Sequence, residues 1–186
     1  MIPKIIWTFG DSFTFGSKCH EGDEYYEMYE PMQTWPELLS DYLDMELTNV
    51  SQGGLSNLEI LKNVVKNLKH INEGDFVVVS DTSPMRLMSF KDKTTWSGAD
   101  YPEESGVVMD YILEEVIPFE TNWKDWMEEI MMDLFESLDG IECRFWSHVV
   151  WDKFETIKQH TNGEIDDLHW SWNGHREMFE YMKERI

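Results

Sequence analysis

Basic residues are scarce in this chain of 186 residues: 15 Lys and Arg stand against 37 Asp and Glu, a formal charge of −22. So negative a chain repels phosphate backbones and anionic headgroups, and neither a nucleic acid nor a membrane surface is expected as a partner. Cysteine is scarcer still. Two Cys cannot form a disulfide framework. Neither Cys19-His20 nor Cys143 with His148 has structural-zinc spacing, so no metal is expected. Long hydrophobic runs are missing as well. The apolar stretch ending at Trp7 is too short for a signal peptide or a bilayer span, which leads us to expect a soluble, cytoplasmic protein. Internal repeats and low-complexity linkers are absent too, and the length suits a single domain over residues 1–186.

What is present is material for a core. The hydrophobic fraction is 41% and the aromatic fraction 14%, with 9 Trp and 12 Met, far from the make-up of a disordered chain. Ile5 to Phe9 reads as a buried strand that ends at Gly10-Asp11-Ser12. Thr34 and Pro36 open a helix that runs to about Leu43. A short strand over Glu46 to Val50 follows, closed by Ser51-Gln52-Gly53-Gly54. Ser56 or Asn57 caps the next helix, whose apolar face is Leu58, Leu61, Val64, Val65 and Leu68. Phe76 to Val79 is apolar throughout, as expected of a central parallel strand. Strand–helix alternation of this kind implies an α/β fold, a parallel sheet with helices on both faces.

Residues Thr82 to Ser105 read as a long loop. Two helical stretches broken near Pro118 follow. The second carries Trp123, Trp126, Met127, Ile130, Met131, Leu134 and Leu138 as a core-packing stripe. Ile141 to Trp146 is a candidate fourth strand. A last helix starts near Trp172 and bears His175, Phe179, Met182 and Ile186 on one side.

Three places carry possible chemistry. Ser12 follows the first strand on a tight turn, where backbone N–H groups are free to stabilise charge. Gly53-Gly54 follows the second strand, and glycine lets backbone approach a ligand closely. Near the C-terminus, Asp166 stands three residues before His169; a carboxylate there can accept the Nδ1–H bond and leave Nε2 as a base. Taken singly, each has a plainer reading: Gly-Asp-Ser and Gly-Gly are common turns, and most Asp-x-x-His pairs are solvated. Their order changes the weight, because all three fall at the edge where the C-terminal ends of parallel strands bind ligands.

The run Gly10-Asp11-Ser12-Phe13-Thr14-Phe15-Gly16 resembles the first block of the SGNH (GDSL) hydrolases. Asn49-Val50-Ser51-Gln52-Gly53-Gly54 resembles their second block, and Asp166-Asp167-Leu168-His169 with Asn173, Gly174 and His175 their last. The resemblance implies a three-layer, flavodoxin-like sandwich and a serine hydrolase acting on carboxylic esters. Ser12 would be the nucleophile, His169 the base and Asp166 its orienting acid. The N–H groups of Ser12 and Gly54 would form the oxyanion hole, with no cofactor.

One block departs: the family's Gly-x-Asn-Asp is replaced by Ser80-Asp81-Thr82-Ser83. By position Thr82 takes the place of the Asn as oxyanion donor, with Ser83 or Asn57 as substitutes. Loss of one such donor typically costs roughly 10²–10³ in turnover. Asn57, Ser83, Trp96 and Trp170 are the candidate substrate contacts, and Tyr25, Tyr26, Tyr29, Tyr101 and Trp172 are further aromatics near the site. The aromatics either line a site suited to an acetyl ester on a neutral saccharide or only shield the core. His175 reads as structural, with a metal pair to Asp166 as its alternative. The competing function is a non-catalytic binding or structural protein. The acidic, Trp- and Met-rich chain is also similar to SGNH-like proteins of tailed phages, which implies virion assembly as an alternative setting; a homo-oligomer is the other partner expectation.

Overall fold

The computed structural model describes residues 4–17, 19, 32–83, 87–88, 95–96, 117–157 and 169–186. Strands β1 (Ile5–Phe9), β2 (Glu46–Asn49), β3 (Phe76–Ser80) and β6 (Glu142–Trp146) form one sheet in the order β2-β1-β3-β6. All three pairings are parallel. Two further strands of two residues each, β4 (Leu87–Met88) and β5 (Thr95–Trp96), pair antiparallel, so the stretch expected as a long loop contains a small ribbon. Among the described residues the helices are α1 (Ser12–Phe15), α2 (Trp35–Leu43), α3 (Asn57–Asn67), α4 (Ile117–Glu136) and α5 (Trp172–Lys183), besides 3₁₀ turns at Leu68–His70 and His148–Lys153. None is long and apolar enough to cross a membrane. The helical stretch expected before Pro118 lies outside the described residues.

The local chemistry explains these starts. Thr34 and Glu37 close a capping box at α2, and Ser56 and Glu59 close another at α3; each satisfies N–H groups that the first turn leaves unpaired. Alternation along the strands then sends side chains to two cores. Trp7, Phe9, Val77, Val79 and Cys143 pack against α3 and α4. Ile6, Phe76, Val78 and Trp146 pack against Trp35 and Leu39 of α2 and Met178 and Met182 of α5. The result is three layers, helix–sheet–helix. Beneath the N-terminal ends of the strands, the buried Asp75 carboxylate accepts from Ile5 N (2.9 Å), Trp7 Nε1 (3.0 Å) and Asn72 N (2.9 Å).

Three helices pack on the cores by the expected faces but differ from expectation at individual positions. On α3 the buried residues are Asn57, Ile60 and Val64, whereas Val65 is 55% exposed. On α4 Phe135 is fully buried in line with Met127 and Met131, while Leu134 is only half-buried; the side chains of Trp123 and Trp126 lie outside the described set. On α5 Met178 is buried, and Ile186 is exposed beyond the helix end. In each case the helix presents a stripe to the sheet, and only the docking angle decides which edge of the stripe is covered.

The strand order places the site. β1 connects to β2 on one side and the chain returns to β3 on the other, so the loops after β1 and β3 part at a topological switch point, where open parallel sheets leave a crevice. Ser12 follows β1, and Thr82 follows β3.

Candidate active site

Ser12 is the first residue of α1 and only 3% exposed. Asp11 caps this short helix, its Oδ1 accepting from Phe13 N at 3.0 Å, and Gly16 ends it in the left-handed region at φ +80°. Gly10, just before, has no room for a side chain. A Cβ there would lie 2.2 Å from Ser80 Oγ, 2.3 Å from Thr14 Oγ1 and 2.7 Å from Thr14 Cβ. Those two hydroxyls share a buried hydrogen bond of 3.0 Å. The glycine of the Gly-Asp-Ser run is thus required by close packing of α1 on β3.

The second block reaches the first through Asn49. Its Nδ2 donates to the Thr14 carbonyl (3.1 Å), and its Oδ1 accepts from Ser51 N (3.1 Å). Gln52 N also donates to the Gly10 carbonyl at 3.3 Å. The turn so held puts Gly53 beside the serine: a Cβ at Gly53 would lie 3.9 Å from Ser12 Cβ. Gly54 is exposed, has φ +80° and faces open space, so its conformation favours glycine even though no neighbour crowds it.

His169 is half-buried, and its ring packs on Phe13 with centroids 5.4 Å apart. The backbone beside it is clasped to an earlier segment. Ile157 N donates to the His169 carbonyl (2.8 Å), and Ser171 N to the Glu155 carbonyl (3.0 Å). Glu155 Oε1 further accepts from Ser171 Oγ at 2.6 Å and from Asn173 Nδ2 at 3.3 Å. A Cβ at Gly174 would come within 2.1 Å of the Glu155 carbonyl oxygen. Nothing in the one-dimensional pattern marks Glu155; it acquires this place only when residues 155–157 pair with 169–171. Asp166 lies outside the described residues, as do Tyr25, Tyr26, Tyr29 and Tyr101.

The other expected site residues take different places. Thr82 is 1% exposed, and its hydroxyl is turned to Asp11, donating to Oδ2 at 2.6 Å. Asn57 is equally buried and is paired to the Thr82 backbone, its Oδ1 accepting from Thr82 N (2.8 Å) and its Nδ2 donating to the Thr82 carbonyl (3.1 Å). Ser83 follows, half-buried. Trp96 stands in β5 opposite Leu87, with its side chain outside the described set. Trp170 departs from expectation. It is 1% exposed and packed against Phe13, Trp146, Phe154 and His175, with centroid separations of 5.0–5.7 Å, so it is a core residue under His169 rather than a platform for a sugar. Trp172 is buried too.

His175, 1% exposed, accepts from Trp35 N at its Nδ1 (3.4 Å) and takes the structural place read for it. Burial pushes the Cys143 thiol up to about 12, against a smaller lowering by Arg144, and Cys19 is a second buried thiol outside any disulfide. Among the described residues no group of three His, Cys, Asp or Glu side chains could hold a metal ion.

No protein-family model matches this chain, and no curated protein does. Among solved structures, one similar chain is described as a lipolytic protein of the G-D-S-L family from Desulfitobacterium hafniense DCB-2. It is 13% identical, with a TM-score of 0.47 over 98% of this chain and 99% of that one. Another is a carbohydrate esterase whose active site displays divergent catalytic and non-catalytic binding functions, 10% identical, with a TM-score of 0.49 over 98% of this chain and 67% of that one.

Proposed function

We propose that this chain is a serine esterase of the SGNH type, with Ser12 as nucleophile, His169 as general base and Asp166 as the acid that orients it. The observation that carries the reading is the convergence of distant segments on Ser12. Gly53 lies against it from the loop after β2, and the ring of the next residue, Phe13, packs on His169 at 5.4 Å from the far end of the chain. In the reaction, Ser12 Oγ attacks the ester carbonyl while His169 takes its proton. The N–H groups of Ser12 and Gly54 receive the developing oxyanion. Collapse breaks the acyl–alkoxy bond, and His169 returns the proton to the departing alcohol. Water then cleaves the acyl-serine by the same two transfers. A small acyl group, such as acetyl on a neutral saccharide, suits a buried serine and a chain of charge −22, which disfavours polyanionic substrates.

Hydrolysis of p-nitrophenyl acetate by wild type and Ser12→Ala, together with a fluorophosphonate label on Ser12, tests this. Turnover and labelling that vanish in the variant support the esterase. Background rates and no label in the wild type would refute it and favour the second reading, a binding protein that keeps the fold. One observation speaks for that alternative: the Thr82 hydroxyl, at the position of the family's Asn donor, is turned to Asp11.

A further inference from the structure

Three buried side chains join the loops on either side of the switch point. Asp11, Asn57 and Thr82 are 2%, 1% and 1% exposed. One oxygen of Asp11 accepts from Phe13 N in the first turn of α1; the other accepts from Thr82 Oγ1 at 2.6 Å, a distance typical of a charge-assisted bond. Thr82 is itself held at both its N–H and its carbonyl by the Asn57 carboxamide. Asn57 opens α3, whose start is fixed by the Ser56–Glu59 box. A continuous path of hydrogen bonds therefore runs from the N-terminus of α3, through the loop after β3, to the cap of the helix that carries Ser12.

We propose that Thr82 and Asn57 are positioning residues that orient Ser12 through Asp11, touching neither substrate nor oxyanion. The proposal rests on the serine-esterase reading. A hydroxyl has one hydrogen to give, and Thr82 gives it to a buried carboxylate. Redirecting it to an oxyanion would strip Asp11 of this partner across the crevice. A Thr is well suited to the positioning role. Its short side chain spans the gap between the two loops, while the Asn57 carboxamide, one helix away, fixes the backbone from which it reaches. Direction matters, because displacing a reacting group by about 1 Å can cost roughly a hundredfold.

The test is a double-mutant cycle read by the rate of Ser12 phosphonylation with a fluorophosphonate and by kcat and KM on p-nitrophenyl acetate. Thr82→Val removes the hydroxyl at nearly constant volume. It should lower labelling and kcat about 10- to 100-fold with KM within about twofold, and Thr82→Ser should recover to within about threefold. Asn57→Asp keeps the acceptor for Thr82 N but loses the donor to its carbonyl, and should lower kcat about 10-fold. Combined with Thr82→Val or with Asp11→Asn, these losses should not multiply, because one path is broken only once. Fully multiplicative losses between Thr82→Val and Asp11→Asn would overturn the proposal, since Thr82 would then act on the oxyanion directly. Equal labelling of Thr82→Val and a labelled wild type would overturn it while leaving the esterase standing. A folded wild type that does not label at Ser12 would remove the esterase reading and this one together. If Asp11→Asn does not fold, the Asn57→Asp and Thr82→Val arm decides alone.

Discussion

Gly10→Ala is the sharpest probe of how the site is built. The added methyl would meet Ser80 Oγ at 2.2 Å, Thr14 Oγ1 at 2.3 Å and Thr14 Cβ at 2.7 Å. Ordinary contact is about 3.5 Å, so the first must give by about 1.3 Å and the last by about 0.8 Å. Ser80 Oγ can rotate away only by leaving its 3.0 Å bond to Thr14 and its 3.5 Å contact with the Phe9 carbonyl. Thr14 Cβ cannot rotate at all; it moves only if α1 moves. Overpacking costs about 1–3 kcal/mol, and an orphaned buried hydroxyl about 1–3 more. The sum, about 2–6 kcal/mol, is a large share of the 5–15 kcal/mol of a typical domain. Urea unfolding should show a lowered midpoint with an unchanged slope. Any protein that still folds should carry Ser12 about 1 Å from its place and lose roughly a hundredfold in ester hydrolysis. A Gly10→Ala protein within about 1 kcal/mol of wild type, with full turnover, would refute the packing argument. Adding Ser80→Ala should recover only part of the loss, because Thr14 Cβ stays in the way.

Asp75→Ala should destabilise the chain by about 3–5 kcal/mol in chemical denaturation, as Ile5 N, Trp7 Nε1 and Asn72 N lose one shared charged acceptor. The Trp7 indole N–H resonance in an NMR spectrum offers a local readout of the same change. Gly174→Ala forces a methyl against the Glu155 carbonyl and should loosen the segment bearing His169; we expect turnover to fall at least about tenfold, more than any rise in KM. Cys143, with its thiol near 12, should resist a disulfide reagent at pH 8 until the chain is unfolded in denaturant. Its folded value lies above the ordinary thiol value of 9.0, so the unfolded thiol ionises first and stability should decline as pH rises from about 9 to about 12. In an alkaline stability series, Cys143→Ala should flatten that decline.

Much of this was legible in one dimension, because the signals are local. Strands β1 and β3 follow from apolar runs, the first closed by Gly10 and the second opened after Gly74. The helix starts at Trp35 and Asn57 were marked by Thr34 with Pro36 and by Ser56 or Asn57, and the structure adds Glu37 and Glu59, which complete a capping box within one turn of each. Gly10, Ser12 and Gly54 stood out because tight turns at strand ends demand special residues, and His169 stood out by its spacing from Asp166. Tertiary structure decided the rest. Periodicity offers a stripe on α3 without saying whether Val65 or Ile60 meets the sheet; the docking of the helix covers Ile60 and leaves Val65 in water. Trp170 reads as a surface aromatic beside a histidine, yet it fills the core, since nothing local shows that four rings converge there. Thr82 and Asp11 lie 71 positions apart, and only the parallel pairing of β1 with β3 brings a hydroxyl and a carboxylate to 2.6 Å. Sequence by itself thus determined which residues could do chemistry and where the elements begin. Which partner each buried polar group answers to was decided by the fold, because a hydrogen bond depends on distances that sequence separation does not encode.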